Sequence, residues 1–562
     1  MSSRTSSDTI LKLILAGTIA GLAALAWLSA LLGELLTPTG MPWTQPEQLL
    51  TRIKDGTFQW PSASTWILIV LAVLAFIGAA ILTAAHGGST RDDGLPRYKD
   101  LERRMGRKAA LTKARQSLEL PDDATEDEMI VALCTLDRQT LYVQHEDSMW
   151  VFAPQRSGKT LYLAVGIILD APGAVIATST KNDLPMLTAV ARERKGDVTV
   201  LDLQDISGWP NKIRWNVIDG CEDPDEALAR GKAWAGAQPM GNVKNGDFFN
   251  SKAAAVLGRF LHAAALGGLT IEDVVRWTNN FADTEPLEIL IEHNAPAAFS
   301  ARLRALTTSR AGETVDSIQE TLAGLLEPLS SPKAMDTLSP AKGEGFDMEQ
   351  FLAKPNTIYL LTDGERSPVA PLVAMFVDFM FRKAQRISQT KPGGRLWPVL
   401  TMVLDEAPNV AAIPDMAGAL SDSGGRGIRI VGFSQSFAQN RQRWGTEAAT
   451  AIRGTSSVRL FLPGLEELDE LDKIARAAGT THKERISTSQ GRGGSSRTTS
   501  KEERQVIRGN EIQQLPVGEA FMHYSNVRPA RVTLTPWWER PDADQIRKDK
   551  AAAADIVRGV RA

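Results

Sequence analysis

The sequence predicts an α/β protein with a parallel β-sheet core, an all-α block within it and two apolar helices before it. Three observations carry this expectation. From residue 141 onward, short apolar runs alternate with helical stretches, the pattern of strands covered by helices. A phosphate-loop pattern stands between one such run and a helical segment, the setting that motif requires. Two uncharged runs of twenty residues lie near the N-terminus, each long enough as a helix to span ~30 Å of hydrocarbon.

The apolar runs are Leu13 to Leu32 and Trp66 to Ala85. The first exceeds the ~7–15 residues of a signal-peptide core, so both are read as membrane-spanning helices of a domain over residues 1–90, with an external loop at 33–64. That loop carries only Arg52 and Lys54 as basic residues. The segment after the second run carries Arg91, Arg97, Lys99, Arg103, Arg104, Arg107 and Lys108. The positive-inside rule then places both termini and the main body in the cytoplasm.

The remaining chain is ordinary for a globular protein, with 43% hydrophobic and 23% charged residues among 562. Its net charge of −3 offers no global basic field, so any nucleic-acid surface is a local patch. Cys134 and Cys221 have no close partners in sequence, which excludes a disulfide framework and a zinc ribbon. The first part of the body is read over 91–221, with strands at 141–144, 149–153, 173–178 and 198–203. Residues 222–345 lose strand signals and take helical spacing, an inserted all-α domain in which Trp234 and Trp277 are core residues. Strands return over 346–540, at 357–362, 398–404, 428–433, 458–462, 521–524 and 531–535. Residues 485–503, rich in Ser, Thr, Gly and Arg, are expected to form a solvated loop, and 541–562 a charged tail.

Residues 153–160 read Ala-Pro-Gln-Arg-Ser-Gly-Lys-Thr, the G-x-x-x-x-G-K-[ST] pattern with Ala153 in place of the first glycine. The nucleotide-binding stretch is therefore Pro154, Gln155, Arg156, Ser157, Gly158, Lys159 and Thr160. Gly158 lets backbone N–H groups approach phosphate oxygens, Lys159 supplies charge to the β- and γ-phosphates, and Thr160 offers a hydroxyl to Mg²⁺. The apolar run ending at Leu404 is followed by Asp405 and Glu406. Carboxylates at the carboxyl end of a parallel strand face the ligand edge of such sheets. Asp405 is assigned to Mg²⁺ and Glu406 to the attacking water. Asp405 lies 246 positions after Lys159, room for the helical block between them. Gln435 ends the neighbouring strand, where RecA-like motors place a γ-phosphate sensor. Arg426, among Gly424, Gly425 and Gly427, is either a finger reaching a neighbour's nucleotide or a solvated turn, with Arg429 as its rival.

These residues, with the two apolar runs, Thr178 to Leu184, Arg214-Trp215-Asn216, Asp405-Glu406-Ala407, Gln435-Ser436, Glu511-Ile512 and Leu515-Pro516, resemble the coupling proteins of type IV secretion and conjugation, the TraG/TraD group. The resemblance covers nearly the whole chain. It implies a RecA-like P-loop ATPase in the inner membrane, using ATP and Mg²⁺ and assembling as a homohexamer. It also implies DNA bound without sequence preference, a relaxase or effector protein as cargo, and secretion-channel components as partners. The helical insertion is implied to help recognise cargo. Residues 479–509 carry seven Lys and Arg, either a solvated loop or a phosphate-tracking one. Two other classes are compatible with parts of this pattern: an FtsK-like double-stranded DNA translocase, which usually ends in a winged helix, and a non-pumping membrane receptor, which has no use for Lys159 and Glu406.

Overall fold

A computed structural model describes residues 24–86, 94–117, 120–238, 246–308, 312–341, 343–364, 367–491 and 494–559. The chain divides into two compact units, Met1–Asp92 and Asp93–Ala562. In the first unit, residues 24–36, Pro46–Lys54 and Ser62–His86 are helical. Side chains of the last helix are described only as far as Leu74. Among the described residues no helix is long and apolar enough to cross a membrane. The expected span at 13–32 lies partly outside the described residues, and that at 66–85 falls within the helix Ser62–His86. Between the helices, Glu34 accepts from the backbone of Thr39 (2.6 Å) and Gly40 (2.6 Å), and the Trp43 indole packs edge-on against Phe58 and Trp60.

The second unit is organised by one eleven-stranded sheet. Its strands are β1 (Ile130–Leu136), β2 (Gln139–Gln144), β3 (Met149–Phe152), β4 (Val175–Ser179), β5 (Val198–Asp202), β6 (Thr357–Leu361), β7 (Leu400–Leu404), β8 (Ile428–Ser434), β9 (Val458–Phe461), β12 (Glu519–Tyr524) and β13 (Ala530–Thr533), numbered around a separate pair, β10 (Thr480–Gly491) and β11 (Gly494–Gln505). The spatial order is β2-β1-β13-β12-β9-β3-β8-β7-β4-β6-β5. The seven strands from β9 to β5 are parallel, and the four from β2 to β12 add antiparallel pairings. The parallel strands are almost continuously buried, as a sheet covered on both faces requires.

Strand β1 is absent from the sequence reading, which begins strands at 141. Its run Ile-Val-Ala-Leu-Cys-Thr-Leu follows the acidic helix Glu126–Met129 directly, with no turn residue between to mark it. The stretch expected as a loop at 485–503 is a two-stranded hairpin, β10 paired antiparallel with β11 from Thr480↔Gln505 to Gly491↔Gly494. Backbone pairing of two strands needs no apolar pattern in the sequence to direct it. The charged C-terminal stretch forms the helix Ala543–Val557, docked by Ile546 and Ala553 and by Arg194, whose guanidinium spans Asp549 at 3.0 and 2.6 Å.

Between β5 and β6 the described chain has only helices, from Pro224–Ala237 to Met348–Leu352. Trp234 and Trp277 are fully buried there. The block is fastened to the sheet layer by buried charge: Glu226 accepts from Arg230 (2.9 Å) and Arg382 (2.8 Å), and Arg382 also meets Asp378 (2.7 Å) on the helix Ala370–Gln389. Arg214 pairs with Asp336 at 3.0 Å, Trp215 is buried against Phe376 and Phe379, and Asn216 donates to the Pro340 carbonyl (3.2 Å). That motif therefore ties the end of the helical block to β5.

At the sheet centre, a Cβ at Gly432 would run into the Trp150 indole, whose Nε1 donates to Ser434 Oγ at 2.8 Å. Gly432→Ala is expected to lower unfolding stability by ~1–3 kcal/mol, as overpacking of a close-packed core does. Chemical denaturation tests this, and an unchanged midpoint would show that the β3–β8 contact is not tight.

Candidate functional site

The C-terminal edge of the parallel sheet gathers the chemistry. β3 ends at Phe152, and the Ala153 N–H extends the pairing by donating to the Ser434 carbonyl at 2.8 Å. Ala153 thus acts as strand, not as a left-handed turn. The left-handed positions in the loop are Arg156 (φ 61°) and Gly158 (φ 89°). Gly158 is required on a second ground, because a Cβ there would overlap the Tyr162 ring. Ser157 closes the loop with its N–H and hydroxyl on the Pro154 carbonyl (3.3 and 2.7 Å). Gln155 and Arg156 stand exposed. The following helix opens with a widened turn, Thr160–Ala164, and continues over Val165–Asp170. Thr160 begins it, beside Lys159.

Two strands along, β7 delivers Asp405 and Glu406, both 6% exposed. The Thr178 hydroxyl of β4 donates to the Asp405 carbonyl at 3.0 Å. Glu406 turns left-handed (φ 54°), a costly conformation for a side-chain-bearing residue. That turn breaks the strand and aims the carboxylate back toward the loop. Lys159 Nζ lies 3.0 Å from Asp405 Oδ1 and donates to Glu406 Oε1. Gln435, just past β8, donates its Nε2 to Glu406 Oε2 at 2.6 Å and is itself oriented by its N–H on Gln439 Oε1 (2.9 Å).

Burial works against the Lys159 charge, but Asp405 and Glu406 outweigh it and hold the ammonium above the usual lysine range. Burial raises the Asp405 carboxyl, Lys159 opposes the rise, and Glu406 adds to it. The group is one cation shared by two carboxylates.

The structure brings together Lys159, Asp405, Glu406 and Gln435, with Thr160 next to Lys159 in the chain. It does not bring Arg426 to them. β8 runs from Ile428 to Ser434, so Arg426 precedes its start and Gln435 follows its end, about seven residues or ~23 Å of strand apart. The glycine-flanked segment around Arg426 is a compact turn: Arg426 pairs with Asp422, and its carbonyl accepts the Leu396 N–H at 2.9 Å. Any finger role for Arg426 is confined to a contact made with another copy of the chain. Arg429 is fully buried within β8 and cannot serve as a finger. Sequence reasoning missed Thr178 as the clasp on Asp405 and Tyr162 as the lid over Gly158. The Thr-Ser-Thr-Lys-Asn-Asp-Leu run signals the first. The rest of that run is scaffold: Asn182 donates to the Ser207 carbonyl (2.7 Å), and the helix Asp183–Glu193 follows.

A metal would find hard oxygen donors here, the Asp405 carboxylate and the Thr160 hydroxyl. Among the described residues no cluster of three or more His, Cys, Asp or Glu could hold one unaided. One carboxylate and one hydroxyl fit Mg²⁺, which takes few protein ligands and completes its shell with phosphate oxygens and water.

The family profile described as type IV secretory system conjugative DNA transfer matches residues 110–557. The conjugal transfer protein TraG of Escherichia coli is 23% identical over 411 residues, covering 68% of this chain and 64% of that protein. Among solved structures, the bacterial conjugative coupling protein TrwB lacking its N-terminal segment superposes with a TM-score of 0.56 at 16% identity, covering 75% of this chain and 91% of that one. TrwB in complex with ADP and Mg²⁺ gives a TM-score of 0.55 at 15% identity, over 75% and 91% of the two chains.

Replacing Lys159 by Met keeps the bulk and removes the cation, leaving two adjacent buried carboxylates. Breaking such a pair costs about 3 kcal/mol or more. The loss should be pH-dependent: the Asp405 carboxyl, raised in the fold, weakens it above the unfolded value and ceases to do so as it protonates. The stability deficit of Lys159→Met is expected to be large near pH 7 and to shrink toward about pH 4. Denaturation of both proteins at the two pH values checks this, and an equal deficit at each would deny the charge coupling.

Proposed function

The chain belongs to the family of type IV secretory system conjugative DNA transfer proteins, the TraG/TraD coupling proteins, and from that premise we propose that it is a membrane-anchored ATPase that drives a DNA or protein substrate through the secretion channel. The observation that carries the ATPase reading is the convergence of Lys159, Asp405, Glu406 and Gln435 at the carboxyl edge of β3, β7 and β8. ATP is the nucleotide in this reading, with Mg²⁺ held by Asp405 and Thr160. The Mg²⁺ ion would neutralise charge on the phosphate oxygens. TrwB, solved with ADP and Mg²⁺ and with a non-hydrolysable ATP analogue, supports that choice of ligands.

The residues of this chain then divide the work. Pro154 to Thr160 wrap the phosphates with backbone N–H groups and the helix N-terminus. Lys159 exchanges its two carboxylates for β- and γ-phosphate oxygens. That exchange releases Glu406 Oε1 to accept a proton from the attacking water, while Gln435 keeps the other oxygen oriented. Gln435 thereby couples the state of the γ-phosphate to the strand end of β8. Lys159, Glu406 and Gln435 form the catalytic set. Phosphoryl transfer of this kind rests on positioning and charge stabilisation more than on covalent chemistry.

The membrane reading is supported by the first unit, whose described helices leave Leu28, Leu36, Trp66, Ile69, Val73 and Leu74 exposed. The basic residues after position 90 support a cytoplasmic body in the inner membrane. The partners in this reading are DNA held without sequence preference, a relaxase or effector cargo, channel components, and further copies of the chain in a homohexamer.

Glu406→Gln should still bind ATP, since the loop and Asp405 remain, while turnover falls ~10²–10⁴-fold. Separate measurements of binding and hydrolysis test this, and near-native turnover would remove Glu406 from catalysis. For topology, a cysteine at Thr57 should react with a membrane-impermeant thiol reagent in intact cells, and one at Asp122 should not. The opposite pattern would invert the assignment.

A further inference from the structure

Along the helix that follows β8 lies a cavity with an apolar floor and charged walls. It measures about 220 Å³ and sits between the helices Phe437–Thr455 and Leu468–Ala475, floored by Phe152 and Phe437. Its charge is unbalanced. Arg441, Arg453 and Lys473 line it, and Glu470 is the one carboxylate that does. Glu470 meets all three, at 3.7, 3.0 and 3.2 Å. Arg459 adds to the excess from the adjacent strand: burial first, then repulsion from Arg453, holds its guanidinium below the usual arginine range. His523 nearby is pushed down to about 4, chiefly by burial and then by Arg459 and Arg453, so it stays neutral at pH 7.

A buried donor lines the same cavity. Asn440 is 1% exposed, and its Nδ2 has no hydrogen-bond partner. Its amide oxygen takes the hydroxyl side of the network. Trp150 Nε1 donates to Ser434 Oγ (2.8 Å), that hydroxyl donates to Asn440 Oδ1 (2.7 Å), and the amide NH₂ is left on the other side. A buried amide donor without an acceptor costs stability, and three cations around one carboxylate leave positive charge without a counterion. Both are relieved by one occupant, an anion with several acceptor oxygens.

We propose that this cavity is a phosphate-group-binding site, separate from the phosphate loop, in which Asn440 Nδ2, Arg453 and Lys473 hold the oxygens of a phosphate monoester or diester. The site reaches the catalytic cluster through two short connections. Asn440 holds Ser434, whose carbonyl anchors Ala153 at the root of the phosphate loop. The residue just before it on the same helix, Gln439, holds Gln435, which in turn holds Glu406. Occupancy therefore bears on how Gln435 presents Glu406. That coupling, unlike the binding itself, rests on the ATPase reading.

The test uses the full-length chain carrying Lys159→Ala, which silences the phosphate loop, and compares it with the same chain also carrying Arg453→Gln and Lys473→Gln. Titration calorimetry with inorganic phosphate and with a short single-stranded oligonucleotide reads the binding. Phosphate binding that weakens tenfold or more in the triple variant supports the site. If the oligonucleotide shows the same loss, the phosphate belongs to a nucleic-acid backbone. If only inorganic phosphate does, the ligand is a free phosphate. Equal binding of both probes by the two chains would overturn the proposal. A further chain, Asn440→Asp with Lys159 intact, keeps the shape and replaces the donor by a negative charge. It should abolish the phosphate-dependent change in ATP turnover while circular dichroism stays native. A folded Asn440→Asp protein that responds to phosphate as the native chain does would overturn the coupling, and absence of turnover in the native chain would instead count against the ATPase reading.

Discussion

One ammonium shared by two buried carboxylates is the interaction on which the site depends. Lys159 comes from the loop after β3, and Asp405 and Glu406 from the end of β7, with β8 lying between the two strands. Charges so deeply placed persist only when paired. The parallel sheet supplies the pairing by bringing three carboxyl ends to one edge. The left-handed turn at Glu406 is a local strain held in place by this arrangement, since the carboxylate is fixed by Lys159 on one oxygen and Gln435 on the other. In the proposed function the cluster is also a device that a phosphate opens, because phosphate oxygens compete with carboxylates for the same ammonium.

The surroundings serve that edge in a graded way. Thr178 holds Asp405 by its backbone, leaving the carboxylate to Lys159. Tyr162 presses on Gly158, so loop shape and the first helical turn are set together. Further out, Trp150, Ser434 and Asn440 form a hydrogen-bonded line across β3, β8 and the next helix. Its last member is left with an unmet donor in a positively charged cavity. Buried polar lines of this sort are costly when incomplete, which makes the unmet end the informative one.

The helical block between β5 and β6 reaches the same body through other means. Buried arginines carry the joint: Arg230 and Arg382 share Glu226, and Arg230 also lies over the rings of Trp215 and Phe379 at 5.2 and 4.9 Å. The Arg-Trp-Asn motif that resembles the family pattern is a structural joint. Family resemblance in sequence thus marks both chemistry and carpentry, and only the contacts tell them apart.

Much of this was legible in the chain itself. The seven parallel strands announce themselves because each is a short apolar run buried on both faces, and the loop and acidic motifs stand at their carboxyl ends where periodicity alone puts them. What the sequence could not supply was anything set by long-range pairing. β1 and the hairpin β10–β11 owe their extended form to partner strands, not to their own side-chain pattern. Glycines around Arg426 suggested a free tip, but the Leu396 N–H and Asp422 close it into a turn. Arg429 offered the same charge in sequence, yet its place in a central strand buries it. Sequence by itself determined which chemistry the chain carries, since residue type and local spacing decide that. Tertiary structure decided which of those groups meet, because strand order and burial fix distance and dielectric, and neither is a local property.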